Sequence, residues 1–175
     1  MPHVEFIAAT PLTHRDALIE LNVEYLTWVF ANVEAQFGIP ADQVNGMPAS
    51  DYVPTVIDKV CGHTPPHGIF YLVKVADQWA GMGGLRCLAP GVADIKRVYM
   101  RPACRGLRLG ERLLHRLLAD AQAFGCKRVY LDTAPFMTAA QRLYQANGFA
   151  DCAPYDGTEV PVELHSRWRF MSRVL

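Results

Sequence analysis

Apolar positions recur along this chain in two rhythms, and the changes between them mark out its elements. Residues 69–75 (Ile-Phe-Tyr-Leu-Val-Lys-Val) and 95–100 (Ile-Lys-Arg-Val-Tyr-Met) are short runs rich in β-branched and aromatic side chains, which predicts strands. Residues 3–9, 80–88 and 127–131 read the same way, the second of them glycine-rich. Between 100 and 127 the rhythm changes. Leu109, Leu113, Leu114, Leu117, Leu118 and Ala121 fall at three- and four-residue spacing, with Gly125 placed to end the run, the stripe of a helix buried on one side. A strand, a helix and a strand with short joints predict a right-handed crossover between parallel strands.

The remaining segments complete a layered fold. Thr13 with Asp16 three residues on is a capping-box-like start for a helix, and Leu18, Leu21, Tyr25, Trp28 and Val29 supply its apolar face up to Gly38-Ile-Pro40. Residues 41–48 read as a loop, Ser50 or Asp51 as the cap of a second helix running towards Lys59, and 62–68 as a turn. Turns at 76–79 and 89–91 make residues 69–100 an antiparallel meander. A helix over 137–147 ends at Gly148, a short strand follows at 149–153, and the alternating segment 166–174 is a final strand. The predicted fold is α/β (α+β): a mixed, mostly antiparallel sheet with a central parallel β-α-β unit, flanked by helices, in one domain spanning 1–175. No repeat, low-complexity tract or linker interrupts it.

Composition narrows the function classes. The chain has 175 residues, 51% of them hydrophobic, and 17 basic side chains balance 17 acidic ones. That suits one domain with a sizeable core, and the balance offers no general field for nucleic acid or an anionic membrane. No apolar run nears a membrane span of roughly 18 to 20 residues, and the N-terminus lacks a signal-peptide pattern, so the expectation is cytoplasmic. Five cysteines, Cys61, Cys87, Cys104, Cys126 and Cys152, are scattered with no Cys-x-x-Cys pair, which disfavours a disulfide framework or a structural zinc site. His63 and His67 lack a third ligand at convincing spacing, so no metal is expected. Cys104 lies near arginines that lower a thiol pKa, but no histidine stands at a recognisable offset for a catalytic pair.

The chemistry gathers at the turn before the leucine-striped helix. A helix beginning near Arg108 leaves unpaired N–H groups on its first turn, backed by the positive end of its dipole, with Arg105 and Arg108 adding charge. Glycines at 106 and 110 let a phosphate approach closely, or serve only a tight turn and close packing. The segment Arg105-Gly-Leu-Arg-Leu-Gly110 resembles the Arg/Gln-x-x-Gly-x-Gly/Ala loop of the GNAT N-acetyltransferase superfamily. Downstream, Ala140-Gln-Arg-Leu-Tyr-Gln-Ala-Asn-Gly-Phe149 is similar to that family's Ala-x-x-Leu-Tyr-x-x-x-Gly-Phe segment. The close resemblance covers residues 94–155. It departs at two positions: Arg108 stands where the loop usually has glycine, and Met137 where an asparagine is frequent.

The resemblance implies acetyl-CoA as cosubstrate, without a metal, and an unidentified amine as acceptor. Its diphosphate would sit on the backbone from Arg105 through Gly106, Leu107, Arg108 and Leu109 to Gly110. Pantetheine would run beside Val98, Tyr99 and Met100, with Met137 near the cosubstrate. Tyr144 would protonate the departing thiolate. Asp94 is the expected base, or else a solvated strand end. Glu20, Glu24, Glu34 and His165 are alternatives, and Trp28, Glu24 and Glu34 are candidates to line the acceptor site. That site is expected from residues 24–34, 62–68 and 153–160. A non-catalytic acyl-CoA-binding module and a Rossmann-type nucleotide binder are the competing readings; in the latter, Asp132 takes the ribose-binding position. The final strand either pairs across a homodimer or completes its own sheet.

Overall fold

In the computed structural model, which describes residues 2–175, the alternating segments pair into one seven-stranded sheet ordered β1-β2-β3-β4-β5-β7-β6. The strands are β1 (Val4–Ala8), β2 (Gly68–Val75), β3 (Gln78–Ala89), β4 (Val92–Met100), β5 (Arg128–Thr133), β6 (Ala150–Cys152) and β7 (Arg169–Val174). The helices are α1 (Pro11–Phe37), α2 (Ala41–Asn45), α3 (Ala49–Cys61), α4 (Leu109–Ala123) and α5 (Thr138–Ala146). Neighbouring strands are antiparallel except β4 and β5, which α4 joins as the expected parallel crossover.

Each face of the sheet has its own core. The leucine stripe of α4 packs on one face, where Leu113, Leu114 and Leu117 are completely buried against Ile95, Val129 and Leu131. Each such leucine contributes about 1.5–3 kcal/mol by leaving water. On the other face Leu18, Leu21 and Val33 of α1 meet Val53 and Ile57 of α3 over Leu72 and Met82. From α5, Leu143 and Tyr144 face the α4 side of the sheet, with Phe149 just beyond the helix.

Several boundaries differ from the sequence reading, each for a local reason. Thr10, not Thr13, caps α1, because Pro11 lacks an N–H and its fixed φ suits the first helical position. Thr13 sits three residues in, and its hydroxyl accepts the Thr10 N–H at 3.0 Å. The helix then breaks its regular geometry at His14 (φ −142°). Residues 41–45 form the short α2 rather than loop, and Pro48 caps α3, so Ser50 and Asp51 lie in its first turn. The last strand begins at Arg169, because the Arg167 and Trp168 N–H groups both bond back to the Leu164 carbonyl. β7 lies between β5 and β6, so the final strand completes its own sheet, fully paired with β5 and paired with β6 at Phe170, Met171 and Ser172.

The feature that positions the site is a parting of strands. β4 and β5 are paired only at Val92–Arg128, Ala93–Val129 and Asp94–Tyr130. Beyond Asp94, β4 remains bonded to β3 but has left β5. Its pairing with β3 also slips between Met82 and Gly84, and opposite that slip Arg97 adopts a left-handed φ of 55°. An extra residue in one strand bends it in this way.

Candidate active site

At the mouth of the gap, the start of α4 is built to hold an anion. The first intrahelical bond runs from the Arg112 N–H to the Arg108 carbonyl at 3.0 Å. The N–H groups of Leu109, Gly110 and Glu111 therefore have no helical partner, and no side chain caps them. Arg108 takes φ 54° and ψ 26°, so the backbone keeps the left-handed shape that a glycine would give. Its side chain turns outward to Glu111 at 2.7 Å. Gly106, at φ 87°, has open space where a Cβ would be. A groove of about 290 Å³ follows, lined by Met100, Cys104, Arg105, Gly106, Arg108 and Gly110 among others. Leu107 is exposed at its rim.

Inside the gap, β4 offers backbone donors. The Arg101 N–H bonds to the Ala80 carbonyl at 2.8 Å, so Tyr99, two residues back, also turns its N–H towards β3. Val98 and Met100 alternate with it and turn their N–H groups to the side that β5 has left. Their side chains pack towards α4. The Tyr99 ring lies on the other face, 5.8 Å from that of Tyr25. Met137, just before α5, also joins the α1-side core. Arg101 ties β4 to α1 by binding both Glu20 and Glu24, so neither carboxylate is free. Glu34 is exposed, and the His165 ring is held at the Val160 carbonyl, 2.9 Å away.

Tyr144 is rooted in the α4-side core and is 5% exposed. Its phenol pKa is pushed well above the usual 10, by burial first and then by Tyr25 and Asp132.

A second cavity, of about 140 Å³, lies on the α1 face. Segments 24–34 and 153–160 contribute to its wall, through Tyr25, Phe30 and Glu159 for example, but Trp28, Glu24 and Glu34 are not among the lining residues. Residues 62–68 do not contribute, because Gly68 pairs with Arg86 and the turn therefore lies at the far, Asp94 end of the strands. Val44 of α2 and Tyr52 of α3 supply wall in their place.

Asp94 is 2% exposed, so it is no solvated strand end. Arg86 holds it bidentately, at 2.7 Å to Oδ2 and 3.1 Å to Oδ1. The same guanidinium reaches the Gly157 carbonyl at 2.9 Å and so anchors the 153–160 loop. The carboxylates that line the cavity are instead Glu159 and Asp132 of β5. Burial lifts the Asp132 pKa from 3.8 to about 6, with Asp94 and Glu159 adding to the rise and the bond from Trp168 opposing it. The Trp168 indole N–H donates to Oδ1 at 3.0 Å. The Tyr155 hydroxyl lies 3.4 Å from both Asp94 Oδ2 and Asp132 Oδ2. β5 runs past the expected end at 131 and so includes Asp132; its alternation with Tyr130 was the available signal.

Among the described residues no group of three or more His, Cys, Asp or Glu side chains is arranged to hold a metal ion. No described helix is long and apolar enough to cross a membrane.

The parted β4–β5 pair thus stands beside a helix start whose first N–H groups have no partner, and comparison with known proteins gives the family. The family model described as Acetyltransferase (GNAT) family matches residues 40–149. A Schizosaccharomyces pombe protein named as an uncharacterized N-acetyltransferase is 34% identical over 59% of this chain and 64% of its own length. The N-acetyltransferase YjgM of Escherichia coli, also named as uncharacterized, is 30% identical over 69% of this chain and 72% of its own. The PaiA N-acetyltransferase of Thermoplasma acidophilum, solved in complex with coenzyme A, superposes with a TM-score of 0.69 at 15% identity, over 99% of both chains. The chain belongs to the GNAT acetyltransferase family. That family's cosubstrate is acetyl-CoA.

Proposed function

We propose that this protein is an acetyl-CoA-dependent N-acetyltransferase that passes the acetyl group directly to a primary amine of a small molecule or peptide. The observation that carries the reading is the meeting, at one gap between β4 and β5, of a donor groove, an acceptor cavity and two titratable groups. The diphosphate binds the N–H groups that open α4, with Arg105 beside them. Pantetheine takes the Val98 and Met100 backbone groups that β5 leaves unpaired, and a β4 N–H polarises the thioester carbonyl.

The amine arrives as an ammonium of pKa about 10 and must lose a proton before its nitrogen can attack. Asp132 takes that proton. A pKa near 6 makes it a stronger base than an ordinary carboxylate while leaving it mostly ionised at neutral pH. The base role expected for Asp94 passes to Asp132 in this reading, because Arg86 occupies both Asp94 oxygens. Asp94 acts on the site as the like charge that raises Asp132. As the new C–N bond forms and the C–S bond breaks, Tyr144 gives its proton to the leaving sulfur, and the second proton shed by the acylated nitrogen restores the phenol. A raised phenol pKa makes that donation harder, and the same burial raises the basicity of a thiolate beside it.

Calorimetric titration with acetyl-CoA, beside ATP and NAD, tests the donor site. Micromolar binding of acetyl-CoA alone, lost in Gly106→Trp, is expected. No binding by folded protein would overturn the reading. An amine-panel assay then separates enzyme from binding module. Tyr144→Phe should lower kcat by about 10²-fold while acetyl-CoA affinity holds; turnover equal to wild type would remove the phenol from the mechanism.

A further inference from the structure

The acceptor cavity contains four charged side chains, and they do not cancel in pairs. Glu159 is already engaged by two cations, Lys96 Nζ donating to it at 2.8 Å and Arg86 at 3.4 Å. Besides Lys96 and Glu159, the cavity is lined by Arg97 on β4 and Asp132 on β5. Arg97 has no carboxylate within ion-pair distance among the described residues; its Nη1 donates to the neutral Asn22 carbonyl oxygen at 2.7 Å. Asp132 has no cationic partner there and accepts only from an indole and a phenol. One cation and one anion thus line a half-buried cavity from the two parted strands without neutralising each other. Leaving partly buried charges unpaired is costly unless a ligand completes them.

Asn22 shows that the Arg97 side chain is held in place. It is completely buried in α1, and its amide nitrogen donates to the Leu18 carbonyl at 2.7 Å. That bond fixes which way the amide faces and presents the oxygen to the guanidinium. A guanidinium carries five N–H donors, and this bond uses one. The left-handed φ of 55° at Arg97 costs a non-glycine residue about 1–2 kcal/mol. Away from the charges the cavity wall is apolar, with Leu26, Val29, Phe30, Val33 and Leu164.

We infer that the acceptor is a zwitterion of the α-amino-acid class with an apolar side chain of modest size, its ammonium at Asp132, its carboxylate at Arg97 and its side chain against α1. This inference rests on the transferase reading above and adds the substrate class. A carboxylate on Arg97 completes a charge-assisted pair that plain amines cannot make. A site built for a charged group rejects analogues lacking it, because its own group is then left unpaired.

The test is steady-state acetylation of three matched acceptors, L-leucine, L-leucinamide and 3-methylbutylamine, by wild type, Arg97→Gly and Arg97→Lys. Glycine suits the left-handed φ, so it removes the side chain without straining the backbone. Wild type should prefer leucine over both neutral-ended analogues by 10²-fold or more in kcat/KM. Arg97→Gly should collapse that ratio towards one, chiefly through KM for leucine, and Arg97→Lys should restore part of it. Equal use of all three acceptors by wild type would overturn the inference, as would an unchanged ratio in Arg97→Gly. Acetyl-CoA titration of the same samples separates the two levels: binding without the carboxylate preference sinks only the substrate class, whereas absent binding sinks the transferase reading beneath it.

Discussion

The Trp168 indole N–H donates to the Asp132 carboxylate across 36 residues of chain, at 3.0 Å. It is the strongest influence opposing the burial that lifts this carboxyl to about 6. A hydrogen bond to the charged form favours that form. Trp168→Phe should therefore raise the pKa further, by about one unit for a bond worth roughly 1.5 kcal/mol. The acid limb of the kcat/KM profile should move to higher pH by that amount, and a limb that stays in place would separate Asp132 from proton transfer.

Asp132 also predicts a pH-dependent stability. Its folded pKa of about 6 lies above the unfolded value near 3.9, so the native state binds the proton more tightly. The wild type therefore loses stability as pH rises from about 4 through 6, by up to about 3 kcal/mol for two units. Asp132→Asn has no charge to bury and still accepts from Trp168. Its Tm should match wild type near pH 4 and exceed it by several degrees at pH 8. A Tm difference that is the same at both pH values would contradict the linkage.

Arg86 and Asp94 form the most buried ion pair of the sheet, with side chains 13% and 3% exposed. Arg86→Met strands the Asp94 carboxylate and releases the Gly157 carbonyl. The expected cost is about 3–5 kcal/mol, read from urea midpoints. Adding Asp94→Leu should recover most of it, since two apolar side chains leave no charge stranded. A double variant no more stable than the single one would show that the pair does more than neutralise itself.

Arg108 occupies a backbone conformation that disfavours any side chain. Arg108→Gly relieves about 1–2 kcal/mol of that and gives back about 0.5–1 kcal/mol in backbone entropy. Tm should rise by about 2 °C, while acetyl-CoA titration should show weaker binding from the lost positive charge. A fall in Tm would mean that the side chain stabilises the turn more than its φ costs.

Features set by local spacing could be read in advance. The six α4 positions face the core as their spacing implies, and the Gly148 turn forms with φ 83°. The loop at 105–110 was recognisable through its resemblance, although Arg108 hides the glycine that would announce its left-handed turn. What could not be read is what distant segments bring together. Asp132 fell just outside the expected 127–131 strand, and Trp168 and Tyr155, which define its environment, come from segments that nothing in the sequence ties to it. Asp94 was legible as a position but not as a partner of Arg86, and nothing in the scatter of cysteines indicated that the Cys87 and Cys126 sulfurs lie 4.0 Å apart.

The short β4–β5 pairing also has a mechanical consequence. Three residue pairs join a half-sheet of β1 to β4 to a half-sheet of β5, β7 and β6, so the middle of the molecule is held by no more ladder than the short edge strand β6. Amide deuteration should therefore be fast at Val98 and Met100 although they lie mid-sheet, and should slow by orders of magnitude once pantetheine bridges the seam. A cosubstrate seated there as proposed would act as a clasp between the two half-sheets.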